Sequence, residues 1–336
     1  MRKSNARTLL LIIPLLFEVS SGFAQDAPSL AGAKKEGKVV LYVSAQLSLA
    51  QALEKAFERK FPFLKVEITR TSGENLLNRI KTEKLAGKIL FDVVYGATVP
   101  LLPALGVVSS YSSPEASGYP AGFREPNYLW TAVSANYYVI GYNTRLVSKT
   151  EAPQDWENLL HPSWKGKIAM DPEEFSWFGA MEAYLGEETA KRLMTGLARQ
   201  EIQWRKGHTA LLQLMTAGEY PIALVYAHGV EDLKGKGAPV EWVRTAKPIV
   251  VDLQPLAISA QPAHPNAAKL FADFLLSLEG QRIIYEDKKI PVRSGVVPRS
   301  SPLHPNGLEI FPTPNAVTLN PSRYAAKFDQ IIGPRR

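Results

Sequence analysis

The chain has 336 residues, 46% apolar and 21% charged, with no cysteine. That length holds two ordinary domains and that balance is a globular one, while the lack of cysteine excludes disulfides, thiolate metal sites, a catalytic cysteine and lipid attachment through an N-terminal cysteine. The formal charge of +7 comes from scattered pairs such as Lys34–Lys35, Lys165–Lys167 and Lys234–Lys236; without a basic-aromatic stripe they predict no nucleic-acid partner, only a mild bias toward anions. Arg2, Lys3 and Arg7 precede an apolar run, Leu9 to Phe17, and Gly22-Phe23-Ala24 supplies small residues for cleavage. Residues 1–24 therefore read as a secretory signal peptide. The run is too short to span a bilayer. A soluble, monomeric, periplasmic mature protein is expected, and its charge falls to 36 basic against 31 acidic residues.

Lys38 to Phe61 organises the rest. Val39 to Val43 is a strand-length apolar run, Ser44 to Ser48 a polar turn, and Leu49, Leu53, Ala56 and Phe57 recur at helical spacing until Pro62. In an open α/β sheet such turns sit at the carboxyl ends of strands, where ligands bind. Ser44 and Gln46 are thus candidate ligand contacts, or plain helix caps. Leu64, Val66 and Ile68 alternate as a second strand. Thr71-Ser72-Gly73-Glu74 fits a capping box with Thr71 as N-cap. Ser72 and Gly73 there are candidate anion contacts at a helix start, and Glu74 is structural or a metal ligand. Ile89 to Tyr95 reads as a third strand, Gly96-Ala97-Thr98 as its turn, and Pro100 opens a short helix that Gly106 ends. Gly96 joins the candidates. Three βα units in succession predict a doubly wound sheet.

Tyr111 to Tyr128 is an irregular, aromatic-bearing excursion, and Trp130 to Tyr142 is a long β-rich run that crosses out of the first unit. Helical patterns cover 155–160, 176–185, 187–199 and 208–217; strands cover Lys167–Met170 and Pro221–Tyr226; Leu253–Ser259 returns to the first unit, and Ala267–Leu278 is an amphipathic helix. His161, His264 and His304 sit beside prolines and read as surface residues.

Phe91-Asp92-Val93-Val94, Trp130-Thr131-Ala132-Val133 and Tyr142-Asn143-Thr144 carry a resemblance. Asp155–Lys167, Ala217–Tyr226, Lys236–Val243 and His264–Gln281 extend it. The chain resembles the family 1 extracellular solute-binding proteins of ABC importers, near their ferric-iron group. The resemblance implies a type 2 periplasmic-binding-protein architecture: two doubly wound α/β lobes joined by a two-strand hinge. Lobe 1 would comprise 25–134 and 256–283, and lobe 2 135–255. The hinge would lie at Val133–Tyr138 and Leu253–Ile258, with 284–336 packed on lobe 2. The partners would be a small-molecule solute, an ABC permease and its ATPase. No cofactor and no enzymatic activity are expected.

In ferric members two adjacent tyrosines end the strand matching Ile222–Tyr226. Here Val225 precedes Tyr226 and Ala227 follows it, so the pair is broken. If the strand continued, Tyr226 and His228 would share a face and bind an organic anion. Ferric iron held by Tyr226, His228 and Glu74 is the alternative. Trp177 lies in a loop that the resemblance places at the cleft, as a wall or as plain core, and His208 opens a helix at the same end. An exported α/β hydrolase with a dispersed triad is the second alternative, although no G-x-S-x-G, S-x-x-K or H-E-x-x-H occurs.

Overall fold

The computed structural model describes residues 29–120 and 122–333; the expected signal peptide lies outside them. Ser29 caps α1 (Leu30–Glu36), and Gly37 ends it in the left-handed region. β1 (Lys38–Val43), α2 (Leu47–Lys60) and β2 (Lys65–Arg70) follow, with Leu49, Leu53, Ala56 and Phe57 on the buried face of α2. α3 (Gly73–Leu85) starts after Ser72, whose side chain makes no cap bond, so the expected Thr71–Glu74 box does not form. β3 is only Val93–Tyr95. It is short because the Asp92 carboxylate, not a ladder carbonyl, takes the Val40 N–H at 2.8 Å and the His264 N–H at 3.0 Å. His264 is accordingly no surface residue: its Nδ1 lies 2.7 Å from buried Asp92.

After β4 (Val108–Ser109) the irregular excursion is tied down by its phenols: Tyr111 donates to Asp273 and Tyr119 to the Leu276 carbonyl. β5 runs from Thr131 to Asn143. Then come β6 (Ile168–Met170), α4 (Phe175–Leu185), α5 (Glu187–Ala198), β7 (Gln203–Trp204), α6 (His208–Ala217), β8 (Ile222–Tyr226), α7 (Ala227–Gly235) and β9 (Val240–Trp242). β10 (Ile249–Ser259), α8 (Pro265–Leu276), α9 (Leu278–Glu286), β11 (Ile290–Pro291), β12 (Ile310–Pro312), α10 (Asn315–Thr318) and α11 (Pro321–Ile332) complete the chain.

The strand order is β2-β1-β3-β10-β5-β8-β6-β7. β1 pairs in parallel with β2 and β3, and β6 with β7 and β8, as βα units require. β5 and β10 are antiparallel and join these two parallel groups. Thr131–Tyr137 of β5 pairs with β10, and Tyr138–Tyr142 pairs with β8. The ladder shifts register between Gln254 and Pro255, where proline has no N–H to give. The architecture is the expected one of two α/β lobes on a mixed sheet.

The last segment is more ordered than its composition suggests. β12 pairs with β10, and α11 packs its Phe328 against Phe175, Phe178 and Trp204 while Lys327 bridges Glu182 and Glu187. β11 instead pairs with β5 at Ser134 and Ala135, so this part of the 284–336 stretch packs with the first group of strands.

Gly96 sits at the end of β3 with φ of 149°, its N–H bonded to the Pro255 carbonyl; a Cβ there would lie 1.9 Å from Ser44 Oγ. Ser44 and Gly96 are therefore locked to each other at the strand ends. Gly96→Ala is expected to cost about 2–3 kcal/mol through strain and overlap. Urea unfolding checks this; an unchanged midpoint would mean that the turn relaxes freely.

Candidate functional site

A cavity of about 600 Å³ is lined by the starts of α2, α6 and α7 and by the chain after α9: Gln46, His208, Tyr226, His228, Asp287 and Lys289. The N-cap residues of these three helices, Gln46, Gly207 and Tyr226, make no side-chain cap bond. First-turn N–H groups lack partners within their own helix, so uncapped starts leave donors for a ligand or water. The Gly207 N–H is an exception, donating to Asp171.

Tyr226 is the last residue of β8. Its ring lies 3.9 Å from His208, 5.0 Å from Tyr138 and 5.7 Å from His228, the last nearly parallel at 15°. His228 does not continue the strand, as the alternating-face expectation required. The chain turns into α7 at Ala227, and His228 reaches Tyr226 from the first turn of that helix. Tyr138 stands directly opposite Tyr226 in the β5–β8 ladder, and the two hydroxyls are 3.4 Å apart. A second phenol thus reaches the site from another strand, although the adjacent tyrosine is missing.

Burial sets the charge states here. It pushes the phenols of Tyr138 and Tyr226 well above their ordinary range, so both are neutral donors at pH 7. Burial lowers His208 to about 4; for His228 burial and then the Lys289 ammonium bring it to about 3. Both imidazoles are neutral. Behind them Glu174 is 1% exposed, its Oε1 unbonded and 3.6 Å from His208 Nε2. Burial, then the nearby Asp171 and Asp252 carboxylates, push Glu174 well above its ordinary value and so disfavour its charge. Asp252, accepting from Gln254 at 3.1 Å, is raised to about 6 by burial. Lys289 Nζ lies 3.2 Å from His228 Nε2. The Nδ1 atoms of His208 and His228 are buried without a partner.

Of the residues anticipated from sequence, Gln46, His208, Tyr226 and His228 meet in this cavity. Ser44 and Gly96 hold the neighbouring strand ends. Ser72, Gly73 and Glu74 lie outside the cavity lining, at the start of α3, where Gly73 faces Thr98 and exposed Glu74 favours the charge of Lys206. Trp177 is not a cleft wall. It is fully buried and packs 5.1 Å from Trp156, because α4 turns its apolar face to the core. Tyr226, His228 and Glu74 form no metal cage, and among the described residues no group of three or more His, Asp or Glu side chains could hold an ion. Sequence reasoning missed Tyr138, Glu174, Asp252 and Lys289. For Tyr138 only the β5–β8 register could have revealed the contact.

Residues 52–306 match the model of the family described as bacterial extracellular solute-binding protein. The chain is 26% identical over 314 residues to the major ferric iron-binding protein of Neisseria meningitidis serogroup B (strain MC58), covering 88% of this chain and 92% of that one. It is also 26% identical over 297 residues to an uncharacterized protein of Haemophilus influenzae, with 83% and 85% covered. Iron-bound HitA from Pseudomonas aeruginosa superposes with a TM-score of 0.76 at 22% identity, over 88% of this chain and 99% of that one. AfuA from Actinobacillus pleuropneumoniae, a periplasmic binding protein with exogenous fructose-6-phosphate bound, gives 0.74 at 23%, over 89% and 99%. At these identities the structures establish the shared fold.

Asp252 offers a test of the electrostatics. A carboxyl raised from 3.8 to about 6 is ionised at a cost in the folded state. That cost is absent below the unfolded value and complete above the folded one. Asp252→Asn removes it, so the variant should exceed the wild type in stability at pH 8 by up to about 3 kcal/mol, with no gain at pH 4. Thermal melts at both pH values check this; equal melting points at pH 8 would show that Asp252 ionises freely.

Proposed function

The chain belongs to the family of bacterial extracellular solute-binding proteins, and we propose that the solute it captures between its lobes for an ABC importer is a small organic anion. It is a transport binding protein, not an enzyme. The observation that carries the anion reading is the opening of three uncapped helix starts, α2, α6 and α7, onto one cavity. Helix starts favour negative charge through their free N–H groups and their dipoles. Lys289 adds an ammonium, and Tyr226 adds a neutral hydroxyl whose proton is held only by a long 3.4 Å bond to Tyr138. Glu174, the most buried acid nearby, is raised well above its ordinary value, which lessens its repulsion of an anion, while Asp232, Glu286 and Asp287 also line the cavity. Capture would bring the lobes together about β5 and β10, as hinge closure does. The proposed lobes are 25–134 with 256–283, and 135–255. The proposed mature protein is a periplasmic monomer after removal of 1–24, delivering its solute to a permease and ATPase at the inner membrane.

A second reading is ferric iron, favoured by the two phenols of Tyr138 and Tyr226 held 3.4 Å apart. Phenolate ligands suit a hard transition metal, but burial opposes their ionisation here.

One variant separates the two readings. For an anion, Tyr226→Phe removes a hydrogen bond to a charged group worth about 1.5–3 kcal/mol, a roughly ten- to hundredfold loss of affinity. Calorimetry with carboxylates, sulfonates and phosphate monoesters measures it. For iron, wild type mixed with ferric citrate would develop a visible charge-transfer band that the variant lacks. The expected result is a colourless wild type and weakened anion binding; a band lost in the variant would overturn the anion reading.

A further inference from the structure

We propose that Lys289 is a cross-cleft latch whose ammonium is shared with His228 and passes to the anionic group of the solute on binding. The inference rests on the anion reading above and assigns one residue its role in capture and closure. Lys289 belongs to the first group of strands. Its own N–H donates to the Ile284 carbonyl of α9 at 3.0 Å, and the next residue, Ile290, pairs with Ala135. Lys288 before it takes a left-handed φ of 61°, which turns the following side chain out of the helix direction. His228 belongs to the other group, in the first turn of α7, which packs on β5, β8 and β9. The 3.2 Å contact between Lys289 Nζ and His228 Nε2 therefore joins the two halves across the cavity they both line.

Both partners are chemically incomplete. Lys289 is partly buried, and among the described residues no carboxylate lies within ion-pair distance of it. Asp287 and Asp232 favour its charge from farther away, while burial opposes it. A neutral imidazole accepts a hydrogen bond but does not neutralise an ammonium, and a partly buried charge with its acids beyond ion-pair distance is incompletely compensated. His228 accepts through Nε2, so its proton sits on Nδ1, and that buried nitrogen has no acceptor. An anionic oxygen entering the cavity supplies what Lys289 lacks. It also meets the free N–H groups at the start of α7 beside it. The contact joins the two halves but leaves the ammonium without an ion-pair partner, so a carboxylate, sulfonate or phosphate oxygen would displace it. Closure and binding would thus act on the same side chain, which couples them.

The test compares wild type, Lys289→Met and Lys289→Arg, each shown to fold by circular dichroism. Small-angle scattering without ligand reads the latch, and calorimetry with citrate, methanesulfonate and glycerol 2-phosphate reads the exchange. Lys289→Met should enlarge the radius of gyration of the empty protein. It should also weaken whichever probe the wild type binds by about ten- to hundredfold, the range for a charged hydrogen bond. Lys289→Arg should restore most of both. If Lys289→Met changes neither quantity while Tyr226→Phe still weakens the probe, the latch is wrong and the anion reading stands. If the wild type binds none of the anions, the anion reading and the exchange fall together.

Discussion

The antiparallel pairing of β5 with β10 is the constraint on which the rest depends. It joins two parallel strand groups that would otherwise share no ladder. Each of these strands is long enough to serve both groups, and β5 changes partners between Tyr137 and Tyr138. Tyr138, Asp252 and Gln254 lie on these strands close to that change. Tyr226 is carried by β8 directly against Tyr138. The ladders that join the two strand groups therefore also hold Tyr226, which lines the cavity, against Tyr138. Movement at the pairing cannot leave the phenols undisturbed.

The cavity combines features that would conflict in water. Helix starts and Lys289 invite negative charge, while Glu174, Asp171 and Asp252 lie behind the aromatic rings. Burial resolves much of the conflict by acting on protonation. Glu174 is pushed away from its charged form and both histidines become neutral bases, so the positive features of the lining are helix N–H groups and the ammonium groups of Lys236, Lys288 and Lys289. Desolvation of neighbouring groups in opposite directions is a common means of sharpening a site's preference for one sign of charge.

Much of the fold was legible because hydrophobic period is a local property. The runs at Val39–Val43 and Ile222–Tyr226 and the helical stripes at 176–185, 187–199 and 208–217 correspond to observed elements within a residue or two. Errors arose where contacts outside the local pattern decided an element's end. The Asp92 side chain takes a backbone N–H and shortens β3, and α3 starts after Ser72 with no side-chain cap, so the expected box is absent. The site was half legible. Tyr226, His208 and Gln46 stand at element ends, where composition marks a change of structure. Tyr138 and Lys289 reach it through strand register and through a turn with positive φ, and neither leaves a mark in the surrounding sequence. Trp177 shows the reverse case: a conspicuous residue whose helix faces inward.

The order of the strands also determines when this chain can fold. β3 and β5 meet only through β10, so the first sheet stays open until residue 259 has been synthesised. The second group waits longer still, because Phe175, Phe178 and Trp204 are covered by Phe328 of the last helix. A nascent chain of this topology stays unfinished through most of its synthesis, with its apolar surfaces unpaired. That delay keeps it threadable: a polypeptide that closes its core last is one that a narrow pore can still accept.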